Sequence, residues 1–241
     1  MATSLAEFAE QINPKTLAEA RRAEFRQATR VHGSFLAVAE KRALVWMAER
    51  MPLWVNSDHL TVLGFAAQIA TGVCYALAAH DRRMLLAAIA CITVNWFGDS
   101  LDGTLARVRQ QQRPRYGFYV DHVIDSIGAV AMMGGLALSG YMHPVIAIGL
   151  LIAFLLLSIQ SYLATYTLGE FHLSLWHFGP TELRVLLVAG NLAALRWAWV
   201  IHGRYRLFDI GGAIGLAAML LMLVVVCLKN TIRLYREEKI S

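Results

Sequence analysis

Six runs of almost uninterrupted apolar residues, at roughly 59–80, 84–106, 118–139, 144–166, 181–202 and 209–229, leave this chain few folds to choose from. Each is close to the ~20 residues that a helix needs to cross the hydrocarbon of a bilayer. They are too long and too continuously apolar for the alternating strands of a membrane barrel. The expected architecture is an all-α integral membrane protein, with six transmembrane helices in residues 51–241 and a separate segment at 1–50. Composition agrees, with 57% of residues hydrophobic and 16% charged, against about a quarter charged in a soluble domain. Gly134, Gly135, Gly211, Gly212 and Gly215 lie inside the runs, where small residues let helices approach closely.

The N-terminal segment has a different character. Leu5, Phe8, Ala9 and Ile12 form the stripe of an amphipathic helix, which Asn13-Pro14 breaks. A charged stretch at 16–30 and a third one through Phe35, Val38, Val45 and Trp46 also read as helical. Such a segment can lie on the membrane interface with its basic residues near anionic headgroups, or pack as a solvated helix on the loops. No cleavable secretory signal is expected, because residues 1–50 lack an uninterrupted apolar core. Pro52 and the polar residues 56–59 mark the start of the first span, with Ser57 or Asp58 as the expected helix cap. Cys74, Cys91 and Cys227 are far apart within apolar runs and read as buried free thiols.

Basic residues set the expected orientation. Lys15, Arg21, Arg22, Arg26, Arg30, Lys41, Arg42 and Arg50 precede the first span, and Arg107, Arg109, Arg113 and Arg115 follow the second. Lys229, Arg233, Arg236 and Lys239 close the chain, whereas the opposite loops hold only Arg82, Arg83, Arg204 and Arg206. The positive-inside rule then puts both termini on the cytoplasmic side of an inner or cell membrane. The net charge of +5 is accounted for by this topology and does not point to nucleic acid.

Against this apolar background stand four carboxylates, Asp99, Asp102, Asp121 and Asp125. An aspartate at the centre of a membrane helix costs about 2.5–3.5 kcal/mol on insertion scales, so a cluster of them implies a compensating role. Asp99 and Asp102 are three apart and Asp121 and Asp125 four apart, so each pair shares a helix face. The nine-residue connection between Arg107 and Gly117 lets the two helices run antiparallel with the pairs facing one another. Carboxylate oxygens suit Mg²⁺, Mn²⁺ or Ca²⁺ rather than zinc. Two divalent ions would balance the four charges and could clamp both oxygens of a phosphoryl displacement. Gly103 removes a side chain where a base or phosphate could approach, Ala106 keeps that face shallow, and Arg107 can contact phosphate. Gly117 is expected where the two helices come close.

The string Asp99-x-x-Asp102-Gly103-x-x-Ala106-Arg107, followed by Gly117-x-x-x-Asp121-x-x-x-Asp125, resembles the signature of the CDP-alcohol phosphotransferases, membrane enzymes of phospholipid synthesis. The six-span layout and the L-T-x-x-G at 60–64 are similar as well. The resemblance implies that the four aspartates hold a pair of Mg²⁺ or Mn²⁺ ions and that Asp125 is the general base toward the acceptor hydroxyl. It also implies CDP contacts from Asp99, Gly103, Ala106, Arg107 and Gly117, and a homodimer. The chain departs from the signature in a longer arginine-to-glycine spacing and in Ser57-Asp58 where the family has proline-asparagine.

The implied chemistry is attack of an alcohol on a CDP-alcohol with release of CMP. CDP-diacylglycerol could donate a phosphatidyl group to a polyol or phosphorylated polyol, or a CDP-amino-alcohol could donate phosphocholine or phosphoethanolamine to a diglyceride. The first is the expected branch, which compact length and basic loops fit, and the second is the alternative, to which the D-H-V-I-D-S at 121–126 is similar. Arg184, assisted by Glu182, is either the acceptor-binding group or a topology anchor paired with Glu182. Arg196 could snorkel, pair internally or line the pocket. His172 and His177 read as ordinary loop residues. A cation-coupled transporter is the alternative of another class, although it would be expected to repeat its carboxylates in a second, inverted half.

Overall fold

The computed structural model describes residues 29–30, 37–168, 170–171, 180–200 and 203–238. The stripe at Leu5–Ile12, most of the 16–30 stretch, and His172 and His177 lie outside the described residues. Among the described residues, seven helices carry the fold: α1 (Ala37–Arg50), α2 (Ser57–Ala78), α3 (Met84–Val108), α4 (Pro114–Leu138), α5 (Pro144–Leu168), α6 (Pro180–Arg196) and α7 (Leu207–Glu237). Two residue pairs, Thr29–Arg30 (β1) and Glu170–Phe171 (β2), run parallel, and Trp199–Val200 (β3) pairs antiparallel with Tyr205–Arg206 (β4). Five of the helices, α2, α3, α4, α5 and α7, are long and apolar enough to cross a membrane.

Helix boundaries follow local chemistry. The cap of α2 is Asn56, one residue earlier than expected, since its Oδ1 accepts from the His59 amide at 3.0 Å. His59 Nδ1 in turn accepts from the Asn56 amide, completing a capping box. Ser57 and Asp58 are thereby free for longer-range contacts. Helix α3 ends in a Schellman motif, with the Gln110 amide bonded to the Arg107 carbonyl and the Gln111 amide to that of Ala106. Gln110 adopts φ +55°, a left-handed position that glycine usually fills. Pro114 starts α4 at a position where no amide hydrogen is needed.

The expected fifth span, 181–202, is the one that differs most. Helix α6 stops at Arg196 after 17 residues, and the chain turns into the β3–β4 hairpin. At 1.5 Å per residue it measures about 25 Å, shorter than the ~30 Å hydrocarbon core. The opposite holds for α7, which runs to Glu237 because its charged end remains helical and pairs Arg233 with Glu237 at 2.9 Å.

Helix α2 is the hub, packing most extensively on α3 and next on α4. One apolar core joins α2 to α7 at the end of the bundle remote from the carboxylates, around Tyr75, Leu85, Leu136, Ala147, Ala194 and Phe208. A second lies nearer the carboxylates, where Leu44 and Ala48 of α1 meet Leu60, Leu101 and Leu105. Elsewhere the long helices turn large apolar side chains outward, among them Val145, Ile152, Leu221 and Val225. The three cysteines are free, but Cys227 is exposed on α7, and Cys74, at the edge of the first apolar core, and Cys91 are only half-buried.

Candidate active site

Glycine determines how closely the helices of the site approach. A Cβ on Gly98 of α3 would fall 2.6 Å from the Gly64 amide nitrogen and the Leu60 carbonyl oxygen of α2. Between α2 and α4, a Cβ on Gly135 would collide with the Gly72 carbonyl. With side chains removed at these crossings, α3 and α4 both lie against α2 and bring their aspartates to a common end. Gly117 plays no part in this approach, since a Cβ there would meet nothing within 4 Å. The close contacts are made through α2 instead of directly between α3 and α4.

One carboxylate oxygen each of Asp99, Asp121 and Asp125 lies within 4.8 Å of the others. Asp102 stands beside this triad. Its Oδ2 accepts from the Thr61 hydroxyl at 2.6 Å, and its Oδ1 accepts from the Gly103 amide. The Ser57 hydroxyl donates to the Asp102 carbonyl at 3.0 Å, so the first turn of α2 holds both the backbone and the side chain of Asp102. A narrow crevice runs between α2, α3 and α4, lined by Thr61, Gly64, Phe65, Gln68, Asn95, Asp99, Asp102, Ile124 and Asp125.

Arg184 enters this site from α6. Its guanidinium bonds Asp99 Oδ2 at 2.5 Å and Asn95 Oδ1 at 3.0 Å, and the Asn95 amide group donates to the Gly64 carbonyl at 3.0 Å. One guanidinium thus faces three converging carboxyl groups. Hard oxygen donors converging in this number fit a hard divalent ion. Arg107 folds back over Gly103, its guanidinium 3.4 Å from where a Cβ would lie and bonded to the Thr104 hydroxyl at 3.0 Å. The space that glycine leaves is therefore shared with the arginine expected to meet phosphate.

On the α5 side, the tilted His122 ring meets Phe118 and Tyr162, with centroids 4.1 and 4.9 Å away, those two rings meet edge to face at 6.2 Å, and His122 Nδ1 lies 3.3 Å from Asp121 Oδ2. Glu182 is half-buried in the first turn of α6. Arg196 is exposed twelve residues beyond Arg184, roughly 18 Å along the helix, with its guanidinium 6.0 Å from the Trp197 ring. It is remote from the carboxylates.

A family model for CDP-alcohol phosphatidyltransferase matches residues 54–232. The chain belongs to this family. The CDP-alcohol phosphatidyltransferase match spans α2 through α6 and most of α7, and leaves α1 outside. The protein is accordingly a membrane transferase of substituted phosphate groups, and the cation-coupled transporter is set aside. No curated protein matches the chain.

Asn95, Thr61 and Ser57 escaped notice in the sequence as site residues. Asn95 could have been found, because a carboxamide four residues before Asp99 in an apolar helix needs a buried partner. Thr61 lies in the L-T-x-x-G at 60–64 and Ser57 at the departure from the signature, but neither spacing points to the Asp102 contacts, which are made across 41 and 45 residues of chain.

Proposed function

We propose that the protein transfers a phosphatidyl group from CDP-diacylglycerol to a polar, anionic alcohol, releasing CMP. The observation that carries this reading is Arg184 placed at the Asp99–Asp121–Asp125 cluster. A guanidinium there has a use if the acceptor bears phosphate, such as a phosphorylated polyol. A diglyceride acceptor has no charge to meet it, which disfavours the phosphocholine and phosphoethanolamine branch.

In this reading Asp99, Asp102, Asp121 and Asp125 hold two Mg²⁺ or Mn²⁺ ions. Bound there, the ions would neutralise the donor pyrophosphate and stabilise charge as the phosphoryl group transfers. Arg107, with Gly103, Ala106 and Gly117 leaving room, binds the CDP part of the donor. Arg184, with Glu182 beside it, orients the acceptor. Asp125 takes the proton of the acceptor hydroxyl as its oxygen bonds to the phosphorus of the phosphatidyl group. The phosphorus–oxygen bond to CMP breaks, and CMP leaves with that electron pair.

Helix α6 serves as the sixth crossing, with the Trp197 and Trp199 region at the far interface. Both termini and the site face the cytoplasm, where a water-soluble acceptor arrives. The protein works as a homodimer, for which the exposed apolar faces of α5 and α7 supply surface.

CMP release by the purified protein with Mg²⁺ tests the reading, offering CDP-diacylglycerol, CDP-choline and CDP-ethanolamine with phosphorylated and unphosphorylated polyols and diglyceride. Release is expected from CDP-diacylglycerol with a phosphorylated polyol, lost on chelation. Asp125→Asn is expected to lower it by roughly 10²–10⁴-fold, the usual worth of a general base. Release only from CDP-choline or CDP-ethanolamine with diglyceride would overturn the donor assignment. A near-normal rate in Asp125→Asn would overturn the base.

A further inference from the structure

We propose that Glu40, on a helix outside the matched family segment, is a positioning residue that fixes the first turn of α6 and thereby aims Arg184; the proposal rests on Arg184 as the acceptor-binding group. Glu40 Oε1 accepts from the Thr181 hydroxyl of α6 at 2.7 Å and from the Trp96 indole of α3 at 2.8 Å. The Ser100 hydroxyl of α3 lies 3.5 Å away. One carboxylate oxygen thus joins three helices.

The placement of these partners gives the contact its meaning. Trp96 and Ser100 each follow by one residue the two groups that Arg184 bonds, Asn95 and Asp99. Thr181 precedes Arg184 by three residues, one helical turn. Two ties therefore bind the same turns of α3 and α6, a direct one through Arg184 and an indirect one through Glu40. Helix α6 packs chiefly on α3 and only slightly on α7, so α3 is the element against which its first turn is set.

Glu40 itself is held on a firm base. Leu44 and Ala48, one and two turns along α1, are buried against α3. At the other end of α1, the Arg109 guanidinium bonds the Met51 and Pro52 carbonyls, both at 2.9 Å, and the Val55 carbonyl. A carboxylate accepting from neutral donors makes charge-assisted hydrogen bonds, stronger than neutral pairs. A carboxylate in the first turn of an otherwise charged helix would ordinarily face solvent, and this one is turned inward to the bundle.

The test compares Glu40→Ala, Glu40→Gln and Arg184→Ala, using the full chain, for acceptor KM, donor KM and amide hydrogen exchange. Glu40→Ala is expected to raise acceptor KM about ten-fold, the loss of one hydrogen bond to a charged group, with donor KM changed less than about two-fold. Exchange should rise in the first turn of α6 and stay unchanged in α7. Glu40→Gln keeps a carbonyl oxygen for Thr181 and Trp96 and is expected to restore both readouts. Unchanged exchange in Glu40→Ala, or Glu40→Gln as impaired as Glu40→Ala, would overturn the proposal. A parallel rise of both KM values would also overturn it, in favour of a general structural role. If exchange rises but acceptor KM holds in both Glu40→Ala and Arg184→Ala, the clasp on α6 stands and the acceptor role of Arg184 is what fails.

Discussion

The half of the bundle built from α2, α3 and α4 and the half containing α5 and α7 use glycine in different ways. In the first half, Gly64, Gly72, Gly98 and Gly135 face the backbone of a neighbouring helix; a methyl group would be crowded at Gly64 and would have nowhere to go at the other three. In the other half, Gly149 faces the tip of Leu216, and Gly212 faces the tip of Met142 and the γ2 methyl of Ile146. Side chains give way more readily than backbone, the tips of Leu216 and Met142 most of all. Burial follows the same division, falling from 33%, 28% and 22% of the apolar windows of α2, α3 and α4 to 11% and 6% for α5 and α7. Converging carboxylates repel one another, and only a backbone-to-backbone fit with fixed polar ties holds them at that spacing. Helices that mostly meet lipid need apolar faces and tolerate looser packing.

Gly98→Ala should break the comparison most severely. The methyl group would push α3 off α2 beside Asp99, and a misplacement of about 1 Å costs on the order of 10² in rate. CMP release checks this, with a thermal melt in detergent to show that the variant folds; a wild-type rate would show that the crossing has slack. Next in size is Arg184→Ala, which should raise acceptor KM about ten-fold through loss of a charge-assisted contact and leave donor KM alone. An unchanged acceptor KM would return Arg184 to the role of topology anchor. Smallest is Gly212→Ala in α7, expected to cost about 1 kcal/mol in stability, the low end of overpacking, since the tip of Met142 can move and only a methyl of Ile146 must shift. A loss of activity there as large as in Gly98→Ala would erase the distinction between the halves.

Much of this was legible in the sequence. Hydropathy located four of the six runs to within a few residues at each end, because the apolar length is what a bilayer selects. It overran α6 and fell short at the end of α7, where local charge and helix propensity decide the boundary and hydropathy carries little information. The aspartate spacing placed the four carboxylates at one end of the bundle. It did not separate Asp102, tied to Thr61, from the triad of Asp99, Asp121 and Asp125, because that division depends on a hydroxyl contributed by another helix.

Sequence alone determined that this chain is a helical membrane protein of the CDP-alcohol phosphatidyltransferase type, since apolar run length and a local motif need no knowledge of distant contacts. Tertiary structure decided that α2 is the wedge on which α3 and α4 meet, that Arg184 comes to Asp99 across 85 residues of chain, and that Glu40 reaches Thr181 across 141. Those pairings are set by which helix faces fit together, and no spacing along the chain records that fit.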